Sequence, residues 1–507
     1  MASPAELPPC DLLVVGGGIN GAGIARDAAG RGLSVVLVEQ DDLAAHTSSA
    51  STKLIHGGLR YLEYGEFRLV REALHERERL LRIAPHLIRP LDFVLPQGPG
   101  SRPGWLIRLG LFLYDRLGGR QTLPRSRAVD LADPRWGAGL RPGIARGFVY
   151  ADAAVDDSRL VVLNARDAAD RGARIMTRTR MASARVANGA WLAQLAPQAG
   201  PPLTIRARVL VNAAGPWVAS LRDSLQGVER AGGVTLVKGS HIVIPALYPG
   251  KHAFLLQQPD GRVVFTIPWL DRFTMIGTTD VPVGPEERAA PQISAAEVEY
   301  LCAAVNRWFA REIGPDAVIG SWSGVRPLFD DGKADAKAIT RDYVLQLGTS
   351  ARGRHAGPQV LSVLGGKLTT YRRLAEHALE KLGPWLPAGT GTPWTAGAAL
   401  PGGDLPAGFP AQVRARWPFL PDPVALRMAA AYGTEIDRII GSSASWAELG
   451  EDFGSGLTEA EVRHLVTREW AQTAEDVLWR RTRLGFTAEP GTGPQLAAWL
   501  EANPCRS

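Results

Sequence analysis

A glycine-rich turn near the start of the chain constrains the fold most. An apolar run, Asp11–Val15, leads into three consecutive glycines, and Gly21 follows at the spacing of a GxGxxG pattern. Gly16 permits a tight turn after a strand, Gly18 leaves room for a pyrophosphate, and Gly21 lets the next helix pack closely. About twenty residues later Glu39 ends a second apolar run, where a carboxylate can accept hydrogen bonds from ribose hydroxyls. This order predicts a βαβ unit that binds a dinucleotide.

The fingerprint alone leaves FAD and NAD open. It occurs once in the chain, and a single site suits FAD because one tightly held cofactor serves both substrate and acceptor. A hydroxyl-rich segment, Thr47–Lys53, follows and can hydrogen-bond to phosphate or flavin oxygens. These features favour FAD, and a soluble NAD enzyme stays open on the fingerprint alone.

Composition narrows the class of protein. A chain of 507 residues is too long for one core, so two or three domains are expected. The three cysteines are scattered and form no CxxC pair, which fits a reducing compartment. No HxxxH pattern and no run of eighteen apolar residues occurs, so we expect neither a metal site nor a membrane span. The net charge of +6 weakly favours anionic partners, and we expect no nucleic acid among them.

The pattern of apolar runs predicts an α/β fold with three parts. A Rossmann-like cofactor domain is interleaved with an antiparallel-sheet substrate domain, since short alternating runs fill residues 234–350. A Gly- and Pro-rich linker then precedes a C-terminal all-helical domain. The predicted boundaries are residues 1–90, 145–232 and 352–383 for the cofactor domain, 91–144 and 233–351 for the substrate domain, 384–406 for the linker and 407–507 for the helical domain.

Eight motifs, taken in order, are specific although each alone would be weak: Gly16–Gly32, Thr47–Tyr61, Lys238–His241, Ile276–Asp280, Ser323–Pro327, Ile339–Tyr343, Gly365–Tyr371 and Gly450–Gly454. Over nearly its whole length the chain resembles the aerobic, FAD-dependent glycerol-3-phosphate dehydrogenases. The resemblance implies oxidation of glycerol 3-phosphate to dihydroxyacetone phosphate, with hydride transfer from C2 to N5 of noncovalent FAD. It also implies a cytoplasmic homodimer, attached peripherally to the anionic inner face of the cell membrane and passing electrons to membrane quinone.

The fingerprint and the resemblance together assign a set of residues to the cofactor. They come from the first βαβ unit, the hydroxyl-rich segment, the strand end near residue 214 and the glycine turn near residue 366. The set is Gly16, Gly18, Asn20, Gly21, Glu39, Thr47, Ser48, Ser49, Lys53, Leu54, His56, Gly57, Ala214, Gly215, Trp217, Gly366, Lys367, Leu368 and Thr369.

Arginines suit the phosphate of the implied substrate, because a guanidinium group stays protonated and hydrogen-bonds bidentately. The resemblance puts four residues around the substrate: Arg60, Tyr61, Arg326 and Arg341. Thr279 and Asp280 form a further polar pair beside the expected site, although a simple turn is an alternative.

His241 is the expected base for the C2 hydroxyl, because the ordinary pKa of histidine lies near the working pH. A histidine that only packs or hydrogen-bonds is equally open. Lys367 follows two glycines, where the resemblance places the flavin, and a cation there would stabilise anionic reduced flavin. Direct contact of Lys367 with the substrate phosphate is the alternative. The predicted catalytic residues are thus His241, Arg326 and Lys367.

The route of the electrons stays open at this point. Trp105–Tyr114 is apolar and flanked by arginines, which suits either a membrane interface or a helix buried between domains. Quinone is the expected acceptor, and dioxygen, as in a glycerol-3-phosphate oxidase, is the alternative. A third reading is a noncatalytic flavin-binding sensor that contacts a partner through its helical domain. Such a sensor would bind flavin that glycerol 3-phosphate never bleaches.

Overall fold

The computed structural model describes residues 5–228, 233–330, 342–349 and 357–503. In chain order, the strands β1 to β19 of these residues are Ala5–Glu6, Cys10–Val15, Val35–Val38, Leu54–Ile55, Ile88–Gln97, Arg127–Asp130, Arg146–Val155, Arg174–Met176, Thr179–Ala187, Ala190–Pro197, Leu203–Asn212, Gly233–Pro245, Ala253–Gln257, Val263–Trp269, Phe273–Gly277, Val281–Val283, Gly320–Asp330, Val344–Thr349 and Gln359–Leu364.

The α-helices α1 to α13 of the same residues are Ile19–Gly30, Phe67–Ile83, Gly104–Leu117, Pro134–Gly137, Asp157–Asp170, Val218–Asp223, Ala295–Asn306, Tyr371–Leu382, Phe409–Arg416, Asp422–Tyr432, Ile436–Ile440, Glu459–Glu469 and Thr492–Ala502. A π-helix, Asp476–Arg481, lies between α12 and α13.

The first sheet carries the dinucleotide fingerprint. Its strand order is β18-β19-β11-β2-β3-β8, and all neighbours are parallel except β18 and β19. Leu12 and Val14 of β2 face a core shared with α1, α5 and α8, whereas Leu13 and Val15 face Trp191 beneath the β9–β10 hairpin. Burial on both faces explains why β2 is continuously apolar. Because β2, β3, β11 and β19 run parallel, their carboxyl ends meet at one edge.

The second sheet forms the substrate domain. Its order is β16-β12-β15-β14-β13-β5-β7-β4, with β17 on β12 and β6 on β7. The pairs are antiparallel except β13 with β5. Helix α7 covers one face, and α2 and α3 cover the other. The predicted fold class is confirmed, since the helices after residue 407 enclose a core of their own around Tyr432 and Leu465.

Three strands lie in a different sheet from the one that the predicted boundaries imply, and the first is β4, which lies within residues 1–90 but pairs with β7 in the second sheet. Strand β7, placed by prediction in the cofactor domain, pairs with β5 over ten residues of the second sheet. Strand β18, placed by prediction in the substrate domain, pairs with β19 at the edge of the first sheet. The three differences have one physical cause. An apolar run indicates a strand but does not specify which distant strand it pairs with.

Candidate active site

A cavity of about 260 Å³ opens at the carboxyl edge of the first sheet. It brings together predicted cofactor residues from four segments: Gly16, Gly18, Glu39, Thr47, Ser48, Ala214, Gly215 and Trp217. Gly16 has a φ of 115°, and a Cβ on it would lie 2.4 Å from the carbonyl oxygen of Ala213. A Cβ on Gly21 would lie 1.9 Å from the carbonyl oxygen of Gly16. The glycines therefore keep open a cradle at the N-terminus of α1 that fits the pyrophosphate of FAD.

Two backbone amides fix the carboxylate of Glu39 at a position where it can also accept a hydrogen bond from a hydroxyl group. Its carboxylate accepts from the amide of Gly17 at 2.6 Å and from the amide of Asp41 at 2.9 Å. Burial raises the pKa of Glu39, and these two amides oppose that effect. Nε2 of His46 lies 2.8 Å from Asp41, and this hydrogen bond lowers the pKa of the Asp41 carboxyl. We call Gly16, Gly18 and Glu39, where the adenosine of FAD is expected to bind, the adenosine end of the site. Its residues lie close together in sequence.

Asn20 joins the first turn of α1 to the glycine turn that precedes Lys367. Its Nδ2 donates to the carbonyl oxygen of Gly365 at 3.0 Å. Its Oδ1 is buried and has no hydrogen-bond partner among the described residues. A buried acceptor at this point fits a donor on the bound cofactor.

We call residues 40–53 the cofactor loop. Near its end, Nζ of Lys53 donates to the carbonyl oxygen of Ser49 at 2.8 Å and to Asp157 at 2.9 Å. The Ser51 hydroxyl donates to the same carboxylate at 2.7 Å. Burial lowers the pKa of Lys53, whereas Asp157 opposes this shift. The buried Lys53 side chain therefore joins the cofactor loop to Asp157 at the start of α5.

The strand and turn after the cofactor loop are tied to the glycine turn near residue 366. Leu54 is buried in β4, and the amide of His56 donates to the hydroxyl of Thr369 at 3.2 Å. The amide of Gly57 donates to the hydroxyl of Tyr114 at 2.8 Å. Leu368 packs against the core of the first sheet.

Arg326 stands on β17 between two contacts to the cofactor segments. The carbonyl oxygen of Val325 accepts from the Thr47 hydroxyl at 2.7 Å. On the other side, a Cβ on Gly365 would lie 3.8 Å from the carbonyl oxygen of Pro327. The Arg326 guanidinium group forms an ion pair with Asp280, and both side chains are about half exposed. The predicted phosphate ligand therefore lies beside the cofactor cradle.

Lys367 contacts Tyr61, one of the two residues of the predicted Arg60–Tyr61 pair. Nζ of Lys367 lies 4.1 Å from the centre of the Tyr61 ring, a cation–π distance. Arg60 donates to the carbonyl oxygen of Gly261 at 2.8 Å, so it lies against the β13–β14 turn. Arg341 lies outside the described residues, and its predicted role stays a prediction.

His241 is buried in β12, with 2% of its surface exposed. Its Nε2 lies 2.9 Å from the Thr52 hydroxyl, and its ring stacks 5.5 Å from the ring of Trp322. Burial, with the nearby charges of Lys53 and Arg326, lowers the pKa of His241 to about 3. The imidazole is thus neutral near pH 7 and free to accept a proton, but a pKa of about 3 makes it a weaker base than the ordinary histidine that the sequence prediction assumed.

Thr279 serves a structural network. Its hydroxyl donates to Glu297 at 2.7 Å and accepts from the amide of Ser240 at 2.9 Å. Burial by itself raises the pKa of Glu297, but hydrogen bonds from Ser294, Thr279 and Ser240 bring it down to about 2. Asp280, the other half of the predicted pair, faces Arg326 instead.

Sequence reasoning missed the side chains that hold these groups in place. Asp157 anchors the cofactor loop, Thr52 and Trp322 position His241, and Asp152 accepts from the Tyr114 hydroxyl that meets Gly57. An acid beside the helix cap at Asp156 was the only visible signal for Asp157. The other contacts join residues tens to hundreds of positions apart, so no local pattern reveals them.

Helix α3 presents apolar side chains to solvent. Trp105 is 71% exposed, and Leu106, Leu109 and Phe112 are 41–48% exposed. The opposite face of the helix buries Ile107, Leu111 and Tyr114 against the second sheet. Within the described part of the chain, we find no helix with the length and apolar character needed to cross a bilayer.

Comparison with known proteins identifies two matching families. The family described as FAD dependent oxidoreductase matches residues 11–372, and the C-terminal domain of alpha-glycerophosphate oxidase matches residues 394–494. A glycerol-3-phosphate dehydrogenase of Pseudomonas aeruginosa is 52% identical over 496 residues, which is 97% of this chain and 95% of that protein. A D-erythritol 1-phosphate dehydrogenase of Brucella abortus is 49% identical over 486 residues, 94% of this chain and 95% of that protein.

A solved structure shares the fold over nearly the whole length. It is a glycerol-3-phosphate dehydrogenase of Bacillus halodurans complexed with FAD, with a TM-score of 0.72 and 27% identity. The match covers 97% of this chain and 94% of that one.

Proposed function

The chain belongs to the FAD-dependent glycerol-3-phosphate dehydrogenases, and on this premise we propose how its residues oxidise sn-glycerol 3-phosphate to dihydroxyacetone phosphate and where the electrons go. FAD, when bound, supplies the acceptor for the hydride that leaves C2. The protein's own task is to hold the phosphate dianion, to orient C2 and to accept the proton of the C2 hydroxyl. Each part has a candidate side chain.

The observation that carries this proposal is the position of Arg326. The residue before it on β17, Val325, accepts a hydrogen bond from Thr47 of the cofactor loop, which supports a position of the Arg326 guanidinium group beside the cofactor cradle. Asp280 holds that group in place until a phosphate arrives. A planar, permanently charged fork then hydrogen-bonds two phosphate oxygens. Arg60, Tyr61, Lys367 and Arg341 are proposed as further groups around the phosphate.

His241 is the proposed base. Its neutral imidazole is already bonded to Thr52, so a proton taken from the C2 hydroxyl can enter a hydrogen-bonded pair. Lys367 is proposed to balance the negative charge that develops on the reduced cofactor. The proposed cofactor contacts are those of the cradle, the cofactor loop and the glycine turn described above.

The test is anaerobic visible absorbance of the purified holoprotein before and after glycerol 3-phosphate. We expect the flavin band to bleach. D-erythritol 1-phosphate, added to a second sample, tests substrate choice, because a relative of almost equal identity carries that name. Faster bleaching by the four-carbon phosphate would move the assignment to that substrate. Bound flavin that neither phosphate bleaches would support the sensor reading.

The acceptor is proposed to be a membrane quinone. The apolar side chains on α3, flanked by Arg102, Arg108, Arg116 and Arg120, support this, since aromatic and arginine side chains suit the headgroup region of a bilayer. We propose peripheral attachment to the cytoplasmic face of an anionic membrane through the same helix. Dioxygen is the second candidate, because the C-terminal domain matches a family described by an oxidase.

One kinetic measurement separates these two acceptors. Reduced holoprotein is mixed either with a short-chain quinone or with air-saturated buffer, and the return of the flavin band is timed; faster reoxidation by oxygen would overturn the quinone proposal. Co-sedimentation with anionic vesicles tests membrane attachment, and a Trp105→Ser and Leu109→Ser double variant is expected to stay in the supernatant.

The proposed homodimer is tested by light scattering during gel filtration.

A further inference from the structure

Two consecutive arginines of the C-terminal domain reach into the cofactor loop. Asp42 lies three residues after Glu39 and is 2% exposed. Its carboxylate accepts from Nε of Arg480 at 2.7 Å and from both terminal nitrogens of Arg481, at 2.9 and 2.8 Å. The π-helix thus delivers three charge-assisted donors to one buried acid of the cofactor domain.

A third arginine reaches the other end of the loop. Arg483 forms an ion pair with Asp156 at 2.9 Å and lies 3.4 Å from Asp157. Asp157 is the acid that holds Lys53 and Ser51. The C-terminal domain therefore contacts, directly or through one carboxylate, both ends of the cofactor loop.

A further ion pair binds the π-helix to the β8–β9 turn beside the loop. Arg178 pairs with Asp476 at 2.6 Å, while the amide of Arg178 donates to the carbonyl oxygen of Asp41 at 2.7 Å. Burial by itself raises the pKa of Asp476, but the Gln472 amide, Arg178 and Arg480 lower it to about 2. This carboxylate stays ionised at neutral pH, so the contact persists under working conditions.

These contacts differ from ordinary packing between domains. Buried charge pairs add little net stability compared with apolar packing, but they have strict geometric requirements. Here those requirements fall on the segment that carries Thr47, Ser48 and Ser49. A cofactor binds more tightly when its contact groups are already in position, because less ordering remains to be done on binding.

We propose that the C-terminal helical domain is a structural part of the FAD site, in which Arg480, Arg481 and Arg483 position the cofactor loop and thereby set FAD affinity. The proposal rests on FAD binding alone. It is independent of the acceptor and the substrate, so failure of either assignment leaves it standing. It also gives the C-terminal domain a role that needs no partner protein.

The experiment measures FAD affinity in the full-length protein. Apoprotein is titrated with FAD, and the dissociation constant is read from quenching of flavin fluorescence at a temperature where circular dichroism shows folded protein. Arg481→Gln is expected to weaken FAD about tenfold or more, because Asp42 loses two charge-assisted donors. Arg481→Lys, which keeps the charge and loses the fork, is expected to fall between Gln and the unchanged protein.

Arg427→Gln is the matched control. Arg427 is a partly buried arginine of the C-terminal domain, and its hydrogen-bond partners Glu461 and Gly456 lie in that same domain rather than in the cofactor loop. It should lower the unfolding temperature and leave the FAD dissociation constant unchanged. If Arg427→Gln weakens FAD as much as Arg481→Gln does, the effect is general destabilisation and the proposal is overturned.

If Arg481→Gln does not fold, a second variant, Asp42→Asn, tests the same contact from the other side. Asp42→Asn keeps the side chain's size and removes the charge that the arginines meet. It is expected to weaken FAD in the same direction. An unchanged dissociation constant in folded Asp42→Asn also overturns the proposal.

Discussion

The two ends of the site are built in opposite ways. At the adenosine end, Gly16, Gly18 and Glu39 lie within one βαβ unit, and the contacts there are mostly backbone geometry and amides. At the proposed substrate end, Arg326, Lys367 and His241 come from three distant strands and turns, and each contacts a side chain from yet another segment.

This difference separates what a short motif can specify from what only the complete fold can. The adenosine end needs space and a dipole, which glycines and a helix N-terminus supply locally. The substrate end needs charges at defined positions, which packing between two sheets supplies. Changes at the two ends should therefore have separable effects, one on cofactor affinity and the other on turnover.

The largest separation is expected from Arg326→Ala. Loss of two charge-assisted hydrogen bonds to the phosphate should lower kcat/KM by on the order of 10³-fold. FAD affinity should stay the same, because β17 contacts the cofactor loop through the backbone carbonyl of Val325, which the substitution keeps. Stopped-flow reduction of the flavin by substrate and a fluorescence titration with FAD measure the two quantities.

Arg326→Lys is the matched variant for that experiment. It keeps the charge beside Asp280 and loses the planar fork, so kcat/KM should be intermediate. A Lys variant as active as the unchanged protein would mean that charge alone, rather than bidentate geometry, binds the phosphate.

The same contrast explains how far the sequence alone could go. The βαβ unit, the glycine turn before Lys367 and the helical C-terminal domain carry local patterns, and the structure confirms the fold class that they predict. The membership of β7 and β18 in their sheets, the network of Thr279 with Glu297, and the anchoring of Lys53 by Asp157 carry none. These depend on pairing between residues far apart in the chain, which periodicity does not encode.

Gly16→Ala should lower FAD affinity and leave the rate of flavin reduction nearly unchanged, the reverse of Arg326→Ala, and its effect should be smaller. The new Cβ would meet the carbonyl oxygen of Ala213 and would need a φ of 115°, which L-residues rarely adopt. We expect FAD affinity to fall by about 10²-fold through overpacking and backbone strain of about 3 kcal/mol. In protein saturated with FAD, the reduction rate by substrate should change little.

Gly32→Ala provides the comparison for backbone strain alone. Its φ is 84°, and no atom lies within 4 Å of the added Cβ. It should cost stability without changing the FAD dissociation constant. An equal loss of FAD affinity in both variants would show that the cradle at Gly16 is not specific.

His241 should make the stability of the folded protein depend on pH, an effect that the glycines of the adenosine end cannot produce because they do not titrate. Its pKa is about 3 in the folded protein and near the ordinary 6.5 when unfolded, so its neutral form stabilises the fold above pH 6.5. As pH falls below 6.5, the unfolded state takes up a proton that the folded state does not. Stability is then lost by up to about 1.4 kcal/mol per pH unit from this group. Urea unfolding of apoprotein at pH 6.5 and 5.0 should show a smaller loss for His241→Asn than for the unchanged protein.

Tyr61→Leu is expected to have the smallest effect and so tests how much of the substrate end depends on fine positioning. The substitution removes the aromatic face 4.1 Å from Nζ of Lys367, a contact of about 0.5–1 kcal/mol. KM for glycerol 3-phosphate should rise about two- to fivefold, because Lys367 keeps its charge but loses its support. Tyr61→Phe retains the ring and should remain closer to the unchanged protein in steady-state assays. If Tyr61→Leu instead matched the loss in Arg326→Ala, the ring would bind substrate directly, and the distinction between ligand and support at this end of the site would fail.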